Sequence, residues 1–141
     1  MVDIMISKEK MQYINMASKV TRTTIIDCIE YNDKLTFIVD RGQIRAAIGK
    51  DARNLKKLRN LFKKNIKFVE YDKDKKRFIR NLCRPYNVKD ITFEGNEEEP
   101  IAKIQVDASD KSKIIGKGGK NVEIIRALAQ RHHSIKDVQI K

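Results

Sequence analysis

The residues best suited to chemistry form one glycine-rich loop in the last third of the chain. The loop and its flanks read Ile114-Ile115-Gly116-Lys117-Gly118-Gly119-Lys120-Asn121. Glycine at its first and fourth positions lets the backbone turn tightly and expose N–H groups, with no Cβ atom in the way of an approaching phosphate. A helix predicted to begin after the loop adds the positive end of its dipole, which contributes about 0.3 to 1 kcal/mol per anion at an exposed site. Lys117 and Lys120 add mobile positive charge, so the loop predicts recognition of a sugar-phosphate backbone.

A second copy of this pattern stands earlier in the chain. A shift of 67 positions superposes Ile48-Gly49-Lys50 on Ile115-Gly116-Lys117, and the apolar residues on either side follow in register. Repetition at a fixed spacing indicates a repeated structural module. We therefore predict two modules, residues 1–72 and residues 73–141.

Each module contains the signals of six elements in the same order. The first reads as a helix capped by Ser7, a β-hairpin, two helices on either side of the loop and a returning strand. The second repeats this order from about Asp74 to Ile140, with Pro85 ending its first helix. The predicted fold class is α+β, with the order α-β-β-α-α-β in each module.

Helical spacing also predicts which side chains of the first module face its core. In the first helix these are Met11, Ile14 and Ala17. In the helix after the loop they are Leu55, Leu58, Leu61 and Phe62. The basic helix after the loop is therefore expected to be folded and amphipathic, with its charge outside.

Positive charge is concentrated in the middle of the chain. The 141 residues carry 31 Lys and Arg against 19 Asp and Glu, a formal net charge of +12. Residues 41–90 hold 17 of the basic side chains and 5 of the acidic ones, so this segment alone accounts for the excess. Such a density is typical of a surface that contacts phosphates.

These features resemble the KH family of RNA-binding domains, in the type II variant whose hairpin precedes the Gly-x-x-Gly loop. The paired motifs Ala47-Ile48-Gly49-Lys50 and Ile115-Gly116-Lys117-Gly118-Gly119-Lys120-Asn121 carry the resemblance. More closely, the chain is similar to archaeal relatives of the transcription factor NusA, which contain two such modules in tandem. The resemblance implies that Gly116 to Gly119 clamp the backbone of single-stranded RNA while an aliphatic groove receives its bases. A role in transcription elongation or termination, beside RNA polymerase, follows by analogy with that family.

The two loops differ where RNA contact is expected. The first loop has Asp51 at its tip and Ala52 in place of the last glycine. Alanine disfavours positive φ and a carboxylate repels phosphate, so we expect the second module to clamp RNA and the first to add mainly electrostatic attraction. Gly118, an x position of the motif, is expected to need no glycine-specific conformation. The candidate RNA-binding residues are Ile115, Gly116, Lys117, Gly118, Gly119, Lys120 and Asn121 in the second module, and Gly49, Lys50, Arg53, Lys56, Lys57 and Arg59 in the first.

The aliphatic side chains around the second loop have two possible uses. Any of them could pack in the core of the module or line the groove for bases, and spacing alone does not divide them. They are Ile114, Ile115, Val122 and Ile125.

Enzymatic functions fit the sequence less well. A nucleotide-binding loop would need Gly-x-x-x-x-Gly-Lys-Ser/Thr or Gly-x-Gly-x-x-Gly, and neither spacing is present. A nuclease would need a cluster of carboxylates, whereas Glu97, Glu98 and Glu99 form one run that reads as a solvated turn. We predict no catalytic residue, metal site or cofactor.

Two further expectations concern cellular context. No apolar run approaches the roughly 20 residues that span a bilayer, so a cytoplasmic protein without a membrane partner is expected. Cys28 and Cys83 are expected to pack as small apolar side chains. A KH protein of ribosome assembly or translation would share all of these features and remains an alternative to the transcription factor.

Overall fold

A computed structural model of the chain describes residues 7–141. These residues form two compact units that divide between Asp72 and Lys73. In each, one three-stranded sheet packs against helices.

The first unit has the predicted order of elements. Its helices and strands are α1 (Lys8–Thr21), β1 (Ile25–Tyr31), β2 (Lys34–Val39), α2 (Ile44–Ile48), α3 (Arg53–Phe62) and β3 (Asn65–Glu70). A 3₁₀ turn at Lys50–Ala52 joins α2 to α3.

The second unit repeats that order. Its elements are α4 (Lys75–Cys83), β4 (Val88–Glu94), β5 (Ile101–Val106), α5 (Ala108–Ile115), α6 (Lys120–His133) and β6 (Asp137–Ile140). The matching 3₁₀ turn is Lys117–Gly119. The predicted α+β class and the α-β-β-α-α-β order are therefore confirmed.

Both sheets are mixed, with the second strand of the unit at the centre. In the first unit β2 is antiparallel to β1 and parallel to β3, and in the second β5 is antiparallel to β4 and parallel to β6. Two parallel neighbours cannot be joined by a tight turn, so the chain must cross over between them. The pair of helices with the glycine loop is that crossover.

The buried face of α1 differs from the predicted one. Ser7 caps the helix as expected, because its hydroxyl accepts a hydrogen bond from the Lys10 N–H at 3.0 Å. Ala17 is fully buried and Ile14 packs against the core, but Met11 is 41% exposed. At 3.6 residues per turn, Met11 lies about 120° around the helix from Ala17. Tyr13 takes the inward position instead.

Helix α3 shows a similar difference. Leu58 is fully buried, whereas Leu61 is 51% exposed, so the expectation that Leu61 faces the core is wrong. The neighbouring Phe62 points to the core, with its ring centroid 5.0 Å from that of Tyr13 and 6.4 Å from that of Phe37.

The core of the second unit joins α4 and α6. The buried side chains of α4 are Phe78, Ile79, Leu82 and Cys83. Those of α6 are Val122, Ile124, Ile125, Leu128 and Ala129. Cys28 in the first unit is buried as Cys83 is in the second, which confirms their predicted place in the core.

Candidate nucleic-acid interface

The loop at Gly116 is a tight turn between two helices. Gly116 ends α5 with φ 80° and ψ 167°, and Gly118 and Gly119 follow with φ of 64° and 75°. The Gly116 N–H donates to the Ser112 carbonyl at 2.9 Å, and the Gly119 N–H to the Gly116 carbonyl at 3.0 Å. Neither of these two hydrogen bonds uses the N–H groups of Lys117 and Gly118, which lie at the tip of the loop.

Gly116 is required by the close approach of the next helix. A Cβ atom at this position would lie 2.9 Å from both the backbone N and the Cβ of Asn121. The Asn121 amide in turn donates to the Ile114 carbonyl at 2.8 Å, so this side chain ties the start of α6 to the end of α5. Asn121 was predicted to bind RNA, and in the structure its amide has this positioning contact.

The four aliphatic side chains around the loop divide into three that are buried and one that is partly buried. Ile114, Val122 and Ile125 are buried in the core of the unit. Ile115 is only partly buried and directly precedes Gly116. Of the four candidates it is therefore the one whose side chain reaches the surface beside the loop.

Positive charge surrounds the turn. No side chain caps the N-terminus of α6, where the positive end of the helix dipole lies, and the Lys120 N–H donates to the Lys117 carbonyl. The side chains of Lys117 and Lys120 are exposed on either side of Gly118 and Gly119. Backbone donors, a helix dipole and two ammonium groups thus meet at one turn, an arrangement that suits a phosphate group.

The first loop has the same backbone shape despite its different residues. Gly49 has φ 80° and ψ 164°, Asp51 has φ 55°, and Ala52 has φ 58°. The Ala52 N–H donates to the Gly49 carbonyl at 3.1 Å, as Gly119 does to Gly116. Ala52 thus adopts the positive φ that alanine disfavours, and what distinguishes this loop is the carboxylate of Asp51. The side chain of Asn54 donates to the Ala46 carbonyl at 3.1 Å and joins α2 to α3.

The predicted basic residues of the first unit lie along the loop and α3. All five side chains are exposed: Lys50, Arg53, Lys56, Lys57 and Arg59. None of them takes part in the ion pairs that the structure shows between residues 7 and 141. Lys64 differs, because its ammonium lies 3.0 Å from the Glu30 carboxylate, and the hydrogen bond to Glu30 raises the pKa of Lys64.

The acidic side chains considered above for a nuclease site are exposed to solvent. Glu97, Glu98 and Glu99 lie on an exposed turn where Asn96 accepts a hydrogen bond from the Glu98 N–H. Across residues 7–141, no three His, Cys, Asp or Glu side chains are placed to hold a metal ion. Nor is any helix of this part of the chain long and apolar enough to cross a bilayer.

Sequence reasoning missed two features of these units. The first is Asn54, which joins α2 to α3 as Asn121 joins α5 to α6, and the repetition of asparagine after both loops was the available signal. A depression lined by Arg80, Arg84 and Tyr86 was also missed, because no motif marks it.

Two units with the KH type II order, each with a glycine loop in its crossover, define a tandem KH protein. A family model, the NusA-like second KH domain, matches residues 75–141. A probable transcription termination protein NusA of Methanococcus vannielii is 30% identical over 137 residues, which cover 97% of this chain and 79% of that protein. A similar relative from Methanocaldococcus jannaschii is 28% identical and covers 99% of this chain and 76% of that one. The crystal structure of APE1850 superposes with a TM-score of 0.80 at 33% identity, covering 96% of this chain and all of that one.

The chain therefore belongs to the family of NusA-like transcription termination proteins. This is a family of non-enzymatic transcription factors.

Proposed function

We propose that this protein acts in transcription by binding single-stranded RNA, and that the loop from Gly116 to Gly119 holds the RNA backbone. The observation that carries this proposal is the turn itself, where the N–H groups of Lys117 and Gly118 stand outside the loop's own hydrogen bonds. Ile115, which is partly buried beside the turn, is the apolar contact for an unstacked base. The two modules have their boundary at Asp72 and Lys73.

The first module has the same backbone donors but a carboxylate at the tip of its loop. We therefore assign RNA clamping to the second module, with the exposed cations of α3 adding attraction that does not depend on sequence. Membership of the NusA-like family makes RNA that emerges from RNA polymerase, in the cytoplasm, the proposed target.

Binding of RNA across a salt series tests the proposal. If four to six phosphates are contacted, the log of the association constant falls with the log of salt concentration at a slope of about −3 to −4. Single-stranded RNA is expected to bind more tightly than duplex RNA or duplex DNA in fluorescence anisotropy. A preference for either duplex would contradict the proposal.

A charge-reversed loop gives the sharper test. Lys117→Asp with Gly118→Asp is expected to abolish most RNA affinity, because two carboxylates then face the phosphate. Asp51, at φ 55° in the first loop, shows that an aspartate fits this backbone position. The matched control is Lys136→Asp with Asn96→Asp, which makes the same change in charge in the same unit. Lys136 follows the far end of α6, which at 14 residues is about 21 Å long. Equal loss of affinity in both variants would mean that the loop contributes to binding only through its net charge, and it would contradict the proposed clamp.

The cellular target is tested by crosslinking RNA to the protein in cells and sequencing it. Nascent transcripts are the expected partners. Recovery of ribosomal RNA alone would favour ribosome assembly instead.

A further inference from the structure

A depression of about 430 Å³ lies in the second unit where α4 ends and β4 begins. Its volume is in the range of pockets that hold small organic ligands. The residues that line it are Arg80, Arg84, Pro85, Tyr86, Asn87 and Val88. None of them belongs to the glycine loop or to the candidates predicted from the sequence.

Two arginines give the depression its charge. Arg80 is oriented by a hydrogen bond from its Nη1 to the Val88 carbonyl at 2.9 Å. Arg84 caps the end of α4 through its backbone N–H, and its exposed side chain does not contribute to that cap. Within the described part of the chain, neither guanidinium is in an ion pair, although Lys89 pairs with Asp107 and Lys103 with Glu94 nearby in the sequence. A forked guanidinium with free donors is suited to a phosphate.

The other polar side chains suit the rest of a nucleotide. Tyr86 is half-buried and lines the depression, and an aromatic ring there is suited to stacking on a base. Asn87 carries both a hydrogen-bond donor and an acceptor for a base edge.

The topology places this depression and the glycine loop toward one end of the unit. Val88 pairs with Val106, so β4 begins where β5 ends. Strand β6 begins at the other end, where Asp137 pairs with Ile101. Three residues separate the end of α6 from the start of β6, and the helix extends about 21 Å back from there, so its N-terminal loop lies toward the end of β5. One extended strand of RNA could therefore reach both places.

We propose that Arg80, Arg84 and Tyr86 form a second nucleotide site of this unit, in which the guanidinium groups bind a phosphate and the tyrosine ring stacks on the attached base. This inference extends the proposed binding of single-stranded RNA by adding contacts beyond the glycine loop. The phosphate has two sources, an internal position of the strand or a phosphorylated 5′ end.

Single substitutions distinguish the two contacts. Arg84→Gln is expected to lower the affinity for single-stranded RNA about tenfold and to make the salt slope shallower by about 0.7, because one phosphate contact is lost. Tyr86→Ala is expected to lower affinity about tenfold without changing that slope, and Tyr86→Phe to restore it, since stacking needs only the ring. Arg22→Gln is the matched control, because Arg22 is the exposed residue that caps α1 in the first unit. Circular dichroism of each variant checks that it is folded.

The source of the phosphate follows from the same variants. Equal losses for Arg84→Gln with 5′-hydroxyl and 5′-phosphate oligonucleotides indicate an internal phosphate, and a loss confined to the phosphorylated oligonucleotide indicates the 5′ end. Binding by Arg84→Gln and Tyr86→Ala at the level of Arg22→Gln would overturn the site while leaving the glycine-loop clamp standing.

A second measurement separates this site from the proposed function. Uridine 5′-monophosphate is titrated into the ¹⁵N-labelled full chain, with inorganic phosphate as a parallel probe. Saturable shifts at the amides of Tyr86 and Asn87, larger with the nucleotide than with phosphate, support the site even if the loop variant shows that the clamp is wrong. Absence of those shifts, or equal shifts with both probes, contradicts a site for a nucleotide.

Discussion

Replacing Gly116 by alanine tests whether close packing of the two helices defines the glycine loop. The new Cβ atom would lie 2.9 Å from the backbone N of Asn121, which cannot move aside as a flexible side chain could. Gly118→Ala is the matched control, because nothing lies within 4 Å of the equivalent Cβ atom there. Both substitutions add one methyl group to the same turn.

The structure gives different costs for the two changes. At φ 80° and ψ 167°, Gly116 lies in a region that is essentially limited to glycine, where another residue costs about 1 to 3 kcal/mol. The overlap with Asn121 adds to this, so we expect Gly116→Ala to lower the free energy of unfolding of the second unit by about 3 kcal/mol. Gly118, at φ 64° and ψ 18°, is left-handed, which costs alanine about 1 to 2 kcal/mol. The lower entropy of the unfolded chain offsets about 0.4 to 1 kcal/mol of the cost in both variants, so it does not change the difference between them.

Urea unfolding followed by NMR measures this difference. Amide signals of α6 report on the second unit, and those of α3 serve as an internal control in the first. With an m-value of about 1 to 2 kcal/mol per molar urea, a difference of about 2 kcal/mol separates the two midpoints by about 1 to 2 M. RNA affinity is expected to fall with Gly116→Ala even in the absence of urea, because the overlap displaces the loop.

Equal midpoints for Gly116→Ala and Gly118→Ala would refute this reasoning. They would mean that the start of α6 adjusts freely to a side chain at Gly116, and that the turn does not depend on close approach of the helices.

Three further results are expected. Asp51→Gly with Ala52→Gly raises RNA affinity about 3- to 10-fold in anisotropy measurements, because a carboxylate about 6 Å from a phosphate repels it by roughly 1 kcal/mol in a largely aqueous dielectric; unchanged affinity would show that the first loop does not meet RNA. Ile115→Ala weakens RNA binding with a small loss of stability, whereas Ile114→Ala, at a fully buried position, costs about 2 to 5 kcal/mol in urea unfolding; the reverse pattern would contradict the division of these two side chains. Asp27→Ala destabilises the first unit by about 2 to 3 kcal/mol in urea unfolding, because the Lys10 ammonium, which lies 2.7 Å from the Asp27 carboxylate, loses its ion pair. A loss below 0.5 kcal/mol would show that this pair is fully solvated.

The sequence alone was enough to predict the order of the elements and the place of the loop. Both rest on signals that act over a few residues, such as the Ser7 cap and the proline that ends the first helix of the second module. Repetition of Ile-Gly-Lys at a spacing of 67 residues then predicted that both modules share one fold.

Conformation inside the loops was only partly predictable. Gly118 was expected to need no special conformation, but it has a φ of 64°, and Ala52 has a positive φ without being glycine. For Ala52 this is the opposite of what the intrinsic preference of alanine predicts. The crossover between parallel strands imposes this turn on both units, and at Ala52 that constraint outweighs a preference of about 1 to 2 kcal/mol.

Only the tertiary structure decided which side chains near the loops are buried. Met11 and Leu61 satisfy helical spacing yet are exposed, while Tyr13 and Phe62 beside them meet in the core. Spacing defines the residues of a helix face only to within about one position, and the rotation of the helix against its sheet then selects among them. The arrangement of Arg80, Arg84 and Tyr86 around one depression is likewise visible only in the structure. Their proximity depends on how the chain turns into β4, and contacts of that kind leave no periodic pattern in a sequence.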